Sequence, residues 1–260
     1  MRTDSEIDEL AIRQLADYDA HRPGQIFGEP SFRVSLDEAY AVQSCAAELR
    51  VARGETPGGY KIGCISESIR RQLGVDQPVF GHLFLNEFFR SGDQLGASAF
   101  DGLAIEGELA VRLARDIHHP SQLSDDPAQF IASAFAVIEL HNYVFRAPSQ
   151  TVEELIANNA FHAGVVLPLA EFPLDDPEQL SAPISVRRNG ELLGTAIPAA
   201  PLESVLNIVK HVSMFGRKVR KGQILLTGSP LPLYPVFPGD EIEVSDPGAG
   251  RVCVRILSPV

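Results

Sequence analysis

Hydrophobic and polar residues alternate through residues 103–115, Leu-Ala-Ile-Glu-Gly-Glu-Leu-Ala-Val-Arg-Leu-Ala-Arg. Leu103, Ile105, Leu109, Val111 and Leu113 fall on one face. Ala104, Glu106, Glu108, Ala110 and Ala114 fall on the other, which is the period-two pattern of a β-strand. Near the N-terminus the spacing is helical instead. Thr3 and Glu6 form a capping box ahead of Ile7, Leu10, Ala11 and Leu15. Ser35 and Glu38 repeat that signal ahead of Ala39, Val42, Ala46 and Leu49, and Gly54 stops the second helix. A Pro/Gly-rich connection, residues 21–30, joins the two.

Further along, residues 59–63 (Gly-Tyr-Lys-Ile-Gly) read as a short strand pinned by glycines. Ser66 predicts a short helix ending at Gly74, and residues 78–84 a strand or tight loop. Asp126-Pro127 predicts a helix start leading into the apolar run 134–140, a buried strand with Glu139 near its end. Thr151 and Glu154 predict a third capped helix to about Asn159, and residues 163–167 a strand. Arg188-Asn189-Gly190-Glu191 is a type I′ hairpin signal between strands 183–188 and 191–197. Val205, Leu206, Val209 and Val212 predict a helix that ends at Gly216. Lys221-Gly222 turns into 223–229, Pro238-Gly239-Asp240 turns into 241–244, and 251–257 closes the chain. Helices gathered in the first half and short strands in the second predict an α+β fold with a mostly antiparallel β body.

Composition narrows the class. The 260 residues are 45% hydrophobic, enough for one large domain, or one domain with a small cap. The net charge of −12, with no basic run, argues against a nucleic-acid surface. Cys45, Cys64 and Cys253 form no CxxC pair, which fits a reducing compartment. The acidic N-terminus does not read as a targeting peptide, and no apolar run approaches the ~18 residues of a membrane span. The expectation is a soluble cytoplasmic protein with no membrane partner. Gly-x-Gly-x-x-Gly and Gly-x-Ser-x-Gly patterns are absent, so neither a dinucleotide fold nor a serine elbow is expected.

Glu106 and Glu108 point the same way from one strand. An isolated Glu-x-Glu reads as two solvated carboxylates on an outer face. In a confined setting such a pair repels unless a proton or cation lies between them. Glu139, after a fully apolar run, supplies a third carboxylate whose burial unpaired would be costly. Three carboxylates with no cysteine nearby favour a hard cation, Mg²⁺ or Mn²⁺. Lys61, bracketed by glycines, reads either as an edge-strand surface lysine or as a pocket lysine with acid–base capacity. Thr227-Gly228-Ser229 reads as an ordinary turn or as a set of donors for a carboxylate or enolate oxygen. His82, His141 and His162 lie beside these segments, and His141 shares the strand face of Glu139 if that strand continues.

Taken in order, Gly59-Tyr60-Lys61-Ile62-Gly63, then residues 72–83 (Gln-Leu-Gly-Val-Asp-Gln-Pro-Val-Phe-Gly-His-Leu), Ile105-Glu106-Gly107-Glu108, Val137-Ile138-Glu139, residues 225–229 and Pro238-Gly239-Asp240 resemble the 2-keto-4-pentenoate hydratase / 4-oxalocrotonate decarboxylase family of the fumarylacetoacetase superfamily. The resemblance runs from about residue 5 to the C-terminus. It implies a fumarylacetoacetase C-terminal-like mixed β-roll/β-sandwich with flanking helices, as an N-terminal helical cap (1–75) and a catalytic β body (76–260) in one compact domain. It implies Mg²⁺ or Mn²⁺ held by Glu106, Glu108 and Glu139, a small-molecule 2-keto acid substrate, Lys61 as a catalytic group, and Leu83, Thr227, Gly228 and Ser229 at the substrate. It also implies a homo-oligomer.

Two stretches depart from the family pattern. After the third glutamate, where the family has roughly Glu-Val-Val-Asp-Ser-Arg, this chain has Glu139-Leu140-His141-Asn142-Tyr143. The family's Ala-Asp-Asn-Ala-Ser is here Ala157-Asn158-Asn159-Ala160-Phe161, followed by His162. His141 and His162 become candidates for a missing acid–base group. A hydratase is the expected activity. The alternatives are a 4-oxalocrotonate-type decarboxylase, an acylpyruvate-type C–C hydrolase, and a non-catalytic relative.

Overall fold

The computed structural model describes residues 2–67, 70–71, 75–124, 126–247 and 250–258. Two helices open the chain, α1 (Asp4–Asp19) and α2 (Leu36–Ala52). Both start with the reciprocal capping box read from the sequence, Thr3 with Glu6 and Ser35 with Glu38. Among the described residues two later helices follow, α3 (Val152–Ala157) and α4 (Pro201–Met214). The strands are β1 (Pro57–Gly63), β2 (Val79–Phe84), β3 (Phe88–Arg90), β4 (Gln94–Gly96), β5 (Leu103–Leu113), β6 (Ile131–Asn142), β7 (His162–Leu167), β8 (Phe172–Pro173), β9 (Ile184–Arg188), β10 (Glu191–Ala196), β11 (Ile224–Leu226), β12 (Tyr234–Pro235), β13 (Glu241–Asp246) and β14 (Gly250–Leu257).

They form two sheets. The larger runs β2-β1-β11-β5-β6-β7-β3, with β12 on β5 and β8 on β6; the smaller runs β10-β9-β13-β14-β4. Pairing is mostly antiparallel; β1–β11, β3–β7 and β4–β14 are parallel. Among the described residues no helix is long and apolar enough to cross a membrane.

The long strand β5 is covered on both faces. Leu103, Ile105, Leu109, Val111 and Leu113 join a core that includes Ile184, Val186, Ile242 and Val244 of the second sheet. Gly107 sits where the two sheets approach: a Cβ there would lie 2.4 Å from Val186 and 3.1 Å from Val244. Helix α4 adds Val205, Ile208, Val209 and Val212 to the same core, beside Tyr60 and Ile62 of β1.

The other face of the large sheet is the inside of a roll. Three strand intervals of ~4.8 Å separate β1 from β6, about 14 Å across a flat sheet. Yet Lys61 of β1 reaches Glu139 of β6 at 2.8 Å. The sheet is therefore strongly curled. Asn159, in the link between α3 and β7, helps close it: its side chain accepts from the backbone N–H of His82 (2.7 Å) and donates to the carbonyl of His82 (2.8 Å), taking the place of a neighbouring strand on the edge of β2. Helices α1 and α2 pack over this closure through Ala11, Ala39 and Val42 against Ile156, Phe161 and Val79. Gln43 of α2 donates to the carbonyls of Phe80 (2.9 Å) and Ile156 (2.8 Å).

Three local readings differ from the sequence expectation. Asp126-Pro127 starts only a single 3₁₀ turn, Pro127–Phe130, because Asp126 makes no capping bond and the apolar strand begins at Ile131. Helix α3 has half a capping box: Thr151 accepts from the N–H of Glu154, but the Glu154 carboxylate turns away to the N–H groups of Arg146 and Ala147. Residues 57–63, inside the N-terminal segment of the expected division, are a strand of the large sheet. The helix expected after Ser66 lies partly outside the described residues, as do Gln72, Leu73 and Gly74.

Candidate active site

Strand pairing brings the carboxylates together. Glu106 stands opposite Glu139 in the β5–β6 ladder, Glu108 opposite Val137, and Ala104 opposite His141. Antiparallel partners share a face, so Glu106, Glu108, Glu139 and His141 all point into the roll. Glu108 and Glu139 are buried, while the Glu106 side chain keeps 21% of its exposure.

Glu139 is the hub. Its Oε1 accepts from Lys61 Nζ at 2.8 Å and from His162 Nδ1 at 2.7 Å. Its Oε2 lies 3.5 Å from His141 Nε2, which is also 3.4 Å from Glu106 Oε2. Burial alone would push the Glu139 carboxyl up; the charges of Lys61 and His141 and the bonds from both histidines hold it well below the usual range. Burial likewise works against the Lys61 ammonium, but Glu139 and then Glu106 keep its pKa above the ordinary lysine value. His141 behaves in the same way, with burial opposing and Glu139 supporting its charged form, and it ends above the ordinary histidine value.

Glu108 is different. It is fully buried, and neither of its oxygens meets a hydrogen-bond donor. Burial, then Glu139 and Glu106, push its pKa well above the carboxylate range. A buried carboxylate with no donor beside two others is a site short of positive charge. The donor set therefore fits a hard divalent cation. Among the described residues, ligand atoms of Glu106, Glu139 and His141 lie within 4.8 Å of one another. Glu108 is one step deeper on the same face.

Backbone conformation shapes the opposite wall. Asn159, Ala160 and Phe161 all have positive φ (55°, 50° and 57°). Three consecutive non-glycine residues in the left-handed region cost roughly 1–2 kcal/mol each. The strained turn turns the Ala160 carbonyl toward Lys61 Nζ (3.3 Å) and leads directly into His162. It is held by the Asn159 bonds to β2.

The carboxylates open onto a cavity of about 340 Å³ whose lining includes Lys61, Glu106 and His141 together with Tyr143, Phe145 and Phe161. His162 does not line it; it braces Glu139 from behind, buried. The remaining expected site residues lie elsewhere. Leu83 packs in the apolar cluster of Ala110, Phe135, Val137, Val165, Ile224 and Leu226. Thr227 Oγ1 donates to the Leu109 carbonyl (2.8 Å) and Ser229 Oγ to that of Gly107 (3.0 Å), so both hydroxyls fasten their loop to β5. Gly228 is left-handed (φ 93°) against Ile65. Asn158 donates to the Glu154 carbonyl (2.9 Å) and accepts from Gln14 of α1. Sequence reasoning missed Tyr143 and Phe145 as cavity residues. The alternation that links Glu139 to His141 continues to them two residues at a time, and that was the available signal.

The profile of the fumarylacetoacetate (FAA) hydrolase C-terminal family matches residues 68–257. The chain belongs to this family. A TodF product hydratase from Pseudomonas putida F1 is 30% identical over 255 residues, 93% of this chain and 94% of that protein. A 2-keto-4-pentenoate hydratase from Paraburkholderia xenovorans LB400 is 29% identical over 226 residues, 84% of this chain and 83% of that protein. Among solved structures, 4-oxalocrotonate decarboxylase from Pseudomonas putida G7, complexed with magnesium and adipate, matches with a TM-score of 0.88 at 24% identity over 99% of both chains. Fumarylpyruvate hydrolase from Pseudomonas aeruginosa, in complex with Mn²⁺ and pyruvate, matches at 0.62 and 17% identity, over 78% of this chain and 90% of that one. As an FAA-family fold, the curled sheet and its partner sheet are shared with both.

Proposed function

We propose that this FAA-family chain is a divalent-metal-dependent hydratase of 2-keto-4-pentenoate type, adding water across a C–C double bond of a 2-hydroxydienoate acid. The observation that carries this reading is the donor-less Glu108 beside Glu106 and Glu139, next to a cavity that Lys61, Glu106 and His141 line. The names of the relatives and the magnesium and manganese of the solved neighbours support it. Glu106, Glu108 and Glu139 would hold Mg²⁺ or Mn²⁺, which when bound supplies a Lewis acid for the substrate's carboxylate and its 2-oxygen.

The chain's own groups handle the protons. For 2-hydroxypenta-2,4-dienoate, ketonisation removes a proton from the 2-oxygen and places one on C5. Hydration then puts the water oxygen on C4 and a proton on C3. His141 faces the cavity and holds its proton more firmly than an ordinary histidine, so it is the group to carry these protons in turn. Lys61 supplies a fixed positive charge beside the developing enolate, anchored by Glu139 and the Ala160 carbonyl. His162 orients Glu139 and does not meet the substrate.

The test is an ultraviolet assay of 2-hydroxypenta-2,4-dienoate with Mg²⁺, with Mn²⁺ and with EDTA, the product being identified by NMR. Metal-dependent formation of 4-hydroxy-2-oxopentanoate is the expected result, with His141→Asn lowering kcat by roughly 10²–10⁴-fold. Metal binding without any turnover of this dienol would sink the hydratase reading.

A further inference from the structure

We infer that the hydroxyl of Tyr143 holds the water that adds to the double bond, and afterwards the 4-hydroxyl of the product. This rests on the hydratase reading and gives it a station for the water, which Lys61 and His141 do not supply. Strand β6 turns Glu139 and His141 inward, and the same alternation carries Tyr143 to that face. The backbone fixes its place. The Tyr143 N–H donates to the Gly102 carbonyl at 3.2 Å, extending the β5–β6 ladder by one residue. One residue earlier, Asn142 Oδ1 accepts from the N–H of Asp101 at 2.9 Å. The ring is fixed as well: Phe145 and Phe161 meet it edge to face, with centroids 5.9 and 6.0 Å away. Phe161 follows Ala160, whose carbonyl meets Lys61, so one turn sets both the phenol and the ammonium.

Few groups of the cavity lining can both donate and accept a hydrogen bond. Lys61 Nζ is engaged by Glu139 and by the Ala160 carbonyl. Glu106 belongs to the carboxylate cluster, Gln150 is exposed on the stretch before α3, and the Cys64 thiol is a weak partner. The Tyr143 hydroxyl has no hydrogen-bond partner among the described residues, and the side chain lines the cavity with Lys61, Glu106 and His141. A tyrosine hydroxyl turned into a pocket ordinarily finds a partner there. At 42% exposure the side chain also meets solvent, the source of the water. Partial burial, and then the Glu106 carboxylate, raise its pKa above the usual phenol value, so it stays a neutral group that donates and accepts. In the addition, the water oxygen bonds to C4 and the C3–C4 π pair moves toward C3 and the 2-oxygen. The water loses one proton and C3 gains one, so no other reactant is needed. Tyr143 keeps its own proton throughout. Its oxygen accepts from the water and so turns a water lone pair toward C4.

The experiment uses the purified, metal-loaded protein, its Tyr143→Phe variant, and Phe145→Leu as a change in the same wall that keeps the hydroxyl. Calorimetry compares 4-hydroxy-2-oxopentanoate with 2-oxopentanoate, the same acid without the 4-hydroxyl. The wild-type protein is expected to bind the hydroxy acid roughly threefold or more tightly, and Tyr143→Phe to bring that ratio to about one. Phe145→Leu is expected to weaken both acids alike. The dienol assay is read by NMR for two products, the hydrate and the unhydrated 2-oxopent-3-enoate. In Tyr143→Phe, hydrate formation is expected to fall by about tenfold more than dienol consumption, so that the unhydrated acid accumulates. An affinity ratio that Tyr143→Phe leaves in place, or that Phe145→Leu removes equally, overturns the inference, and so does a proportionate fall of the two rates. If the wild-type protein consumes no dienol, the hydratase reading falls, and the affinity ratio alone decides whether Tyr143 meets a 4-oxygen.

Discussion

The inside of the roll has two ends made by the same strands, and they are built on opposite principles. At one end Leu83, Ala110, Phe135, Val137, Val165, Ile224 and Leu226 form a fully buried apolar cluster. At the other, two or four residues along the same strands, stand Glu106, Glu108, Glu139 and His141, with Lys61 and His162 reaching in. The pleat makes this possible, since every second residue of β5 and β6 faces inward whatever its chemistry. Burial of Phe135 and its neighbours favours the fold, at about 25 cal/mol per Å² of apolar surface. Burial of Glu108 opposes it. Packing strength at one end thus allows charge deficiency at the other, and the deficiency is where a cation and substrate would act.

The largest effect should come from cutting the charged hub. Glu139→Gln leaves the Lys61 ammonium buried without its counter-charge. Breaking a buried pair this way costs about 3–5 kcal/mol, and loss of the anchor should lower kcat by at least 10²-fold. Urea denaturation and the dienol assay read the two separately. Joining Lys61→Met to Glu139→Leu makes this end resemble the apolar one. At least half of the lost stability should return, with activity still absent; full stability loss in the double variant would show that the pair itself, rather than an orphaned charge, holds the roll. Phe135→Ala attacks the other end. A cavity there should cost about 3–5 kcal/mol in urea, while kcat per folded molecule stays within a few fold. An activity collapse on a still-folded Phe135→Ala protein would mean the two ends are not independent.

How far this contrast was legible in the sequence depends on range. The inward set of β5 followed from alternation alone, and the Asn189-Gly190 hairpin and the Thr3 and Ser35 caps from chemistry confined to a few residues. The expected ligands Glu106, Glu108 and Glu139 do share one face, because register between β5 and β6 sets Glu106 against Glu139. The Lys61–Glu139 pair was not visible, since it depends on curling across β11 and β5. The curl in turn depends on Asn159 substituting for a strand and on three left-handed residues that no propensity favours. Nor could spacing tell that Thr227 and Ser229 spend their hydroxyls on the carbonyls of Leu109 and Gly107.

The smallest effect concerns acid, and it separates the charged end from two histidines outside the roll. His82 lies on β2 beneath α2, half-buried, and its pKa is lowered to about 3, first by burial and then by the Arg217 guanidinium and His211. The unfolded chain binds this proton near 6.5, so the contribution of His82 is complete above that pH and is lost as pH falls toward 3. Glu139 is also depressed, but from the carboxylate range, so its contribution fades only below about 4.5. His141 has the opposite sign: raised above 6.5, it favours the fold at low pH and withdraws that support as pH rises. His211 of α4 is depressed in the same sense as His82, to about 4, by burial. In EDTA, a stability decline between pH 6.5 and 4.5 therefore belongs to His82 and His211 rather than to the carboxylates. Allowing for partial exposure, the His82 share of that decline is about 2 kcal/mol. His82→Phe should remove about half of the slope of the urea midpoint across this window, and His82→Phe joined to His211→Phe should flatten it and leave the steeper fall below 4.5 in place. If the double variant keeps the full slope from 6.5 downward, acid sensitivity starts among the buried charges of the roll, and the charged end is less well compensated than the Lys61–Glu139–His162 contacts indicate.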